Sequence, residues 1–184
     1  MTISAIDSTS ALVVIDLQKG VVGLQTVHPA ADVVARSAEL ARAFRARERP
    51  VVLVNVDGMA PGRTSAPRRA YSFPPDWTDL VPELDAQPGD FLVTKQRVGA
   101  FLGTDLDQYL RRRGVTQVVV TGVATGSGVE ATARSAYDLG YNVVFVTDAM
   151  TDLDAEVHRH CIDKTFPRLG ELATTAEVVE LLRR

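Results

Sequence analysis

Two ionisable residues stand where short apolar runs end. Asp16 closes Ala11–Asp16 (ALVVID), and Lys95 closes Asp90–Lys95 (DFLVTK). Either one alone reads equally well as a cap on the next turn. Buried together, a carboxylate and an ammonium hold each other charged, and a substrate entering between them shifts either pKa towards proton transfer. A third feature follows another apolar run: the turn Gly122-Val123-Ala124-Thr125-Gly126-Ser127-Gly128 opens a helical pattern. Amides in such a turn point at whatever occupies the helix N-terminus, a place for an anion or a developing oxyanion. Gly126 to Ala131 also fits G-x-G-x-x-A after a strand, with Asp148 about 20 residues on, the pattern of a dinucleotide site. That pattern sits on the fourth strand rather than the first, and it leaves Asp16 and Lys95 without a role. The single cysteine, Cys161, raises the question of a nucleophilic thiol. It lies in a helical stretch after the fifth strand and reads as a small buried core residue.

The elements that must position these groups alternate along the chain. Strands are predicted at Ala11–Asp16, Val51–Val56, Asp90–Lys95, Gln117–Gly122, Asn142–Asp148 and Leu172–Thr174. Each is a continuous apolar run, as expected where helices cover both faces of a parallel sheet. Helices are predicted between them, at Ala31–Glu48, Thr104–Arg113, Val129–Leu139 and Asp154–Thr165, with a last one at Thr175–Arg183. Thr174 and Glu177 give that last helix a capping-box start. The series predicts a Rossmann-like, doubly wound α/β domain with an about six-stranded parallel sheet and helices on both faces. The whole chain, residues 1–184, reads as one domain. Only 57–87 breaks the pattern. It is rich in Pro and Arg, contains Tyr71, Phe73 and Trp77, and reads as an irregular lid or interface segment.

Composition excludes several classes. A formal charge of −3 argues against a nucleic-acid binder, and the run Arg111–Arg113 suits a helix C-terminus. One cysteine permits no internal disulfide. Met1–Ser10 lacks a basic leader, and no stretch approaches the ~20 apolar residues of a membrane helix, so no membrane association is expected. The cytoplasm is the expected compartment.

Taken in order, several motifs resemble the isochorismatase-like cysteine hydrolase superfamily. They are Val13-Val14-Ile15-Asp16-Leu17-Gln18, the stretch Lys95 to Thr104 (KQRVGAFLGT), Gly122 to Thr125, Val129 to Arg134, Gly140-Tyr141 and Asp148-Ala149. The resemblance covers nearly all of the chain except 57–87. It implies a catalytic Asp at Asp16 and a catalytic Lys at Lys95. It also implies a cis peptide at Val123–Ala124 and an oxyanion hole from the amides of Ala124 and Gly128.

The family's nucleophilic Cys falls at Gly128, so the resemblance implies a member without its thiol. Ser127, next door, points elsewhere at a helix start. Isochorismatases proper resemble this chain in having Gly there, and they cleave a vinyl ether with an Asp as acid and no covalent intermediate. They also carry aromatic residues where this chain has Val98 and Ala124, whereas Thr132 to Arg134 with Gly140-Tyr141 looks more like the amidase branch. The metal site of the nicotinamidase branch needs an Asp and histidines near the second strand. Here that region offers Asn55 and Asp57, and His158 and His160 lie on different faces of a helix, so no metal and no cofactor are expected.

The leading expectation is therefore a metal-independent hydrolase acting on a small carboxylated molecule through Asp16. Lys95 and Arg97, with Arg63 from the irregular segment, would hold the carboxylate; Phe101 and Trp77 would wall the pocket. The alternatives are a catalytically inactive small-molecule binding or assembly protein, and a dinucleotide-binding protein. By analogy with the family, a homo-oligomer is expected.

Overall fold

The structure is a computed structural model that describes residues 3–65 and 74–184. Tyr71 and Phe73 of the irregular segment lie outside the described residues. Six strands form one sheet: β1 (Ser10–Ile15), β2 (Val51–Val56), β3 (Phe91–Lys95), β4 (Gln117–Val123), β5 (Asn142–Thr151) and β6 (Glu171–Ala173). All pairings are parallel, in the order β3-β2-β1-β4-β5-β6. This is the doubly wound order in which the chain reverses direction across the sheet between β1 and β4.

Period-2 alternation divides the core into two layers. Leu12 and Val14 of β1 join Leu53, Val119 and Val144 beneath α2 (Ala30–Arg45) and α6 (Thr175–Arg183). Ala11, Val13 and Ile15 face the other way, with Val52, Val118, Phe145 and Phe166. Buried residues of α3 (Leu106–Arg112) and α4 (Glu130–Asp138) cover that layer. A four-residue α1 (Lys19–Val22) follows β1, and α5 (Ala155–His160) follows β5. The capping box at Thr174 and Glu177 is present as its residues predict.

Boundaries shift where local chemistry intervenes. The second helix ends at Arg45, and Glu48 turns the chain with a positive φ of 55° before β2. The fifth strand continues to Thr151 beyond the predicted end at Asp148, across an irregular register between Val120 and Gly122. The fourth helix is preceded by a wider turn, Thr125–Val129. Among the described residues of 57–87, the regular features are a short 3-10 turn at Pro82–Leu84 and a bridge from Leu80 to Gln18. No helix is long and apolar enough to cross a membrane among the described residues.

Candidate active site

The site forms at the carboxyl ends of β1, β3 and β4, beside the point where strand order reverses, where open sheets of this class bind ligands. Asp16 follows the last residue of β1 in a left-handed conformation (φ 53°), a region Asp tolerates better than most residues. Lys95 ends β3, and β2 lies between the two strands, so roughly 10 Å of sheet separates their backbones. A long, unbranched lysine spans that gap. Its Nζ lies 2.7 Å from Asp16 Oδ2, with both side chains almost wholly buried.

The second carboxylate oxygen, Asp16 Oδ1, is buried and has no hydrogen-bond partner, the one such side-chain atom among the described residues. Burial pushes the Asp16 carboxyl up from 3.8 to about 6, against the opposing charge and hydrogen bond of Lys95. A buried acceptor left open in this way is costly unless a ligand fills it.

Gly122 brings β4 against β1. At φ 115° it adopts a conformation that L side chains avoid, and a Cβ there would strike the Ile15 main chain. The peptide Val123–Ala124 is cis. Beyond it, the amides of Ser127 and Val129 both donate to the Ala124 carbonyl, while the Gly126 amide donates to Asp152 Oδ2 at 2.7 Å. The amides of Ala124 and Gly128 are not used in these bonds. Gly128 is buried at the start of α4, and a Cβ on it would stand 3.2 Å from Asp16 Oδ2 and 3.0 Å from Ile15 Cγ2. The structure therefore brings Asp16, Lys95, Val123, Ala124 and Gly128 into one constellation.

Of the remaining residues singled out above, only the Arg97 main chain has a recorded contact with the ion pair. Arg97 offers its carbonyl to Lys95 Nζ (3.4 Å), while its guanidinium donates to the Gln96 carbonyl beside a depression of about 260 Å³. Phe101 is buried in the core, with its ring centroid 6.0 Å from that of Tyr141. Arg63 is exposed. Trp77 is half-buried, and its indole occupies the space where a side chain on Gly20 would project.

Three further groups emerge only from the structure. Gln18 is fully buried; its Nε2 donates to the carbonyls of Val56 and Trp77, and its Oε1 accepts from the Val56 amide. This one side chain ties β1, β2 and the irregular segment together. Asn55 Nδ2 adds a bond to the Thr78 carbonyl. Asp152 holds the turn from behind, and Thr125 Oγ1 lies 2.8 Å from His158 Nδ1. A polar residue inside an apolar strand ending, as Gln18 is, was the sequence signal available for the first of these.

The geometry also bears on cofactors. The Gly126 amide is taken by Asp152, and Gly126 lacks a side chain because Val157 of α5 packs against it. Asp148, the acid that a ribose would require, accepts from the Thr175 amide and hydroxyl. The G-x-G-x-x-A stretch is thus explained by packing and capping, and the dinucleotide reading loses both its cradle and its acid. At the end of β2, Asn55 donates its amide nitrogen to the Thr78 carbonyl. Among the described residues, no cluster of three His, Cys, Asp or Glu side chains could hold a metal ion.

Fold and site together define a Rossmann-like α/β domain with an acid–lysine pair at the switch point. Residues 10–177 match the isochorismatase domain. The chain is 42% identical over 182 residues to the uncharacterized isochorismatase family protein YwoC of Bacillus subtilis, covering 95% of this chain and 94% of that one. It superposes on an isochorismatase family protein of Burkholderia thailandensis with a TM-score of 0.95 and 44% identity, over the full length of both chains. A shorter stretch, 75 residues or 41% of the chain, is 43% identical to 30% of the ureidoacrylate amidohydrolase RutB of Variovorax paradoxus. The chain belongs to the isochorismatase family.

Proposed function

We propose that this chain is a hydrolase that needs no nucleophilic thiol and acts on a small carboxylated molecule, with Asp16 as proton donor in a vinyl-ether type hydrolysis. The observation that carries this reading is the buried, unpartnered Asp16 Oδ1, on a carboxyl whose pKa stands at about 6 and whose other oxygen, held by Lys95, lies beside Gly128. At that value a useful fraction of the acid keeps its proton near neutral pH.

Asp16 passes the proton to the terminal carbon of the enol ether. Water then adds to the oxocarbenium carbon, and the proton it releases returns to Asp16. The hemiketal collapses to an alcohol and a keto acid, so atoms and charge balance without a covalent intermediate. Lys95 fixes Oδ2 and, with Arg97, is assigned to the substrate's carboxylate. The amides of Ala124 and Gly128 are assigned to oxygen atoms that gain negative charge.

The position of the only thiol favours this route over an acyl-enzyme. Cys161 Sγ is buried behind Gly126 and lies 3.6 Å from Glu130 Oε2, and burial with that carboxylate pushes it up to about 12. Such a thiol is inert as a nucleophile.

The test is turnover of vinyl ethers such as isochorismate, and of small amides, by the wild type and Asp16→Asn. Loss of turnover in Asp16→Asn is expected; equal rates on every substrate would overturn the assignment. Gly128→Cys supplies a complementary measurement, because its sulfur would lie against Asp16. Amidase activity gained by that variant, together with an inactive wild type, would favour the catalytically inactive binding or assembly protein.

A further inference from the structure

The turn that carries the Ala124 and Gly128 amides is gripped from its far side by a buried polar layer that takes no part in the chemistry above. Thr125 follows the cis peptide directly, is wholly buried, and meets His158 Nδ1 at 2.8 Å. His158 stands on α5, whose Val157 packs against Gly126. Asp152, at the end of β5, binds the Gly126 amide with one oxygen and the Leu153 and Asp154 amides with the other. Two successive residues of the turn are therefore fixed by two side chains from one neighbouring loop and helix.

We propose that His158 is a positioning residue for this turn: neutral, with Nδ1 accepting the Thr125 hydroxyl, it sets the direction of the Ala124 and Gly128 amides. The proposal rests on the reading that this turn belongs to the active site, and it adds a group that the proton-transfer scheme does not contain.

The chemistry is that of a single bond with two possible senses. A bare Nδ1 accepts from the hydroxyl, whereas a protonated ring turns Nδ1 into a donor. The Thr125 hydroxyl must then direct its own proton to another acceptor, and in this proposal the turn it belongs to follows that change. The charged and titratable groups around His158 come from the loop before α2, the end of β5, the stretch after α5, and α4. His28, before α2, meets it edge-on with ring centroids 5.0 Å apart, and Asp152 faces it from β5. On its own helical side lies Cys161, which contacts Glu130 of α4, itself paired with Arg134. Burial first, then His28, holds the imidazole below the ordinary 6.5, with Asp152 pulling the other way.

His28 is tied into the same layer. Its amide donates to Thr151 Oγ1, and the Val27 amide donates to the Asp152 carbonyl. The exposed loop before α2 therefore reaches the turn through two imidazoles and one hydroxyl.

The decisive experiment is a nuclear magnetic resonance pH titration of the Ala124 and Gly128 amides. It is made in Asp16→Asn protein, which removes the other group titrating near pH 6 beside Gly128. Both amides should follow the His158 ring with one shared midpoint below 6.5. In the same background, Thr125→Val should flatten them while the ring still titrates, and Thr125→Ser should keep them. Amides that stay flat while the ring titrates, or that follow it unchanged in Thr125→Val, would overturn the proposal whether or not any substrate is turned over.

A kinetic arm in the otherwise wild-type chain separates positioning from structure. His158→Leu should lower kcat by roughly 10- to 100-fold with KM little changed. His158→Asn, which keeps a polar atom at the δ position, should recover most of that loss. Equal kcat for His158→Leu and wild type, in a chain where Asp16→Asn is impaired, would overturn positioning alone. Equal rates for Asp16→Asn and wild type would instead overturn the active-site reading.

Discussion

The sheet carries an ion pair at each end, one part-buried and one buried, and the two are built differently. At the amino-terminal end, Asp90 meets Arg45 through two bonds, 3.0 Å to Nε and 2.6 Å to Nη2, and accepts the Gln87 amide as well. Both of its oxygens are satisfied. At the carboxyl end, Asp16 meets Lys95 through one oxygen and leaves the other buried and open. Geometry matches the residue types, since a guanidinium binds a carboxylate in parallel and an ammonium binds it at a point. The first pair closes a structure; the second keeps a reactive valence. A cavity of about 570 Å³ beside Arg45 and Asp90 does not change this assignment, because it lies at the end of the sheet where ligands of this fold class are not bound.

Breaking the second pair should have the larger consequence. Asp16→Asn should lower kcat/KM by about 100- to 10,000-fold on any substrate turned over, read by steady-state kinetics. Lys95→Met should come next, destabilising the fold by roughly 3–5 kcal/mol in urea unfolding at pH 8, because it leaves the buried Asp16 carboxyl without its counter-charge. The same variant should raise the Asp16 pKa further, since Lys95 is what lowers it.

The pH dependence of stability sharpens the contrast. The unfolded Asp16 carboxyl releases its proton near 3.8 and the folded one near 6, so between these values the folded state binds more protons. Stability from this group is therefore present at the acid side and is lost as pH rises through the window, by about 3 kcal/mol in all. Unfolding curves of wild type minus Asp16→Asn should show that slope, and a flat difference would contradict it. The smallest effect belongs to the first pair. Asp90→Asn should cost about 1–3 kcal/mol of stability and leave kcat/KM unchanged, as measured by denaturation and kinetics on one preparation.

Much of this was legible in the chain. Continuous apolar runs located all six strands, because burial on both faces removes the polar alternation that blurs other sheets. The strand-end rule picked Asp16 and Lys95 before any contact was visible. What stayed hidden depends on partners distant in sequence. Gln18 bonds to Val56 and Trp77, and Thr125 bonds to His158 across 33 positions, and no local pattern encodes such meetings. Phe101 was expected at the pocket wall; its ring lies 6.0 Å from that of Tyr141, a neighbour the sequence did not indicate. The glycine pattern at Gly126 kept a phosphate reading open as an alternative because helix packing and anion binding ask for the same small residue.

The buried amide of Gln18 has an evolutionary consequence. With Asn55, it holds the irregular segment at the site by main-chain atoms alone: the Val56 amide and carbonyl and the carbonyls of Trp77 and Thr78. Every residue type presents those atoms. Among the described residues, Leu80, Val81 and Leu84 pack into the core, the Trp77 ring lies over Gly20 and Lys19 meets Asp76 and Asp79; the bonds of Gln18 and Asn55 are themselves indifferent to the side chains of the residues they hold. The exposed positions described in the segment, such as 59–65, can therefore exchange their side chains while these main-chain bonds to β1 and β2 are inherited unchanged.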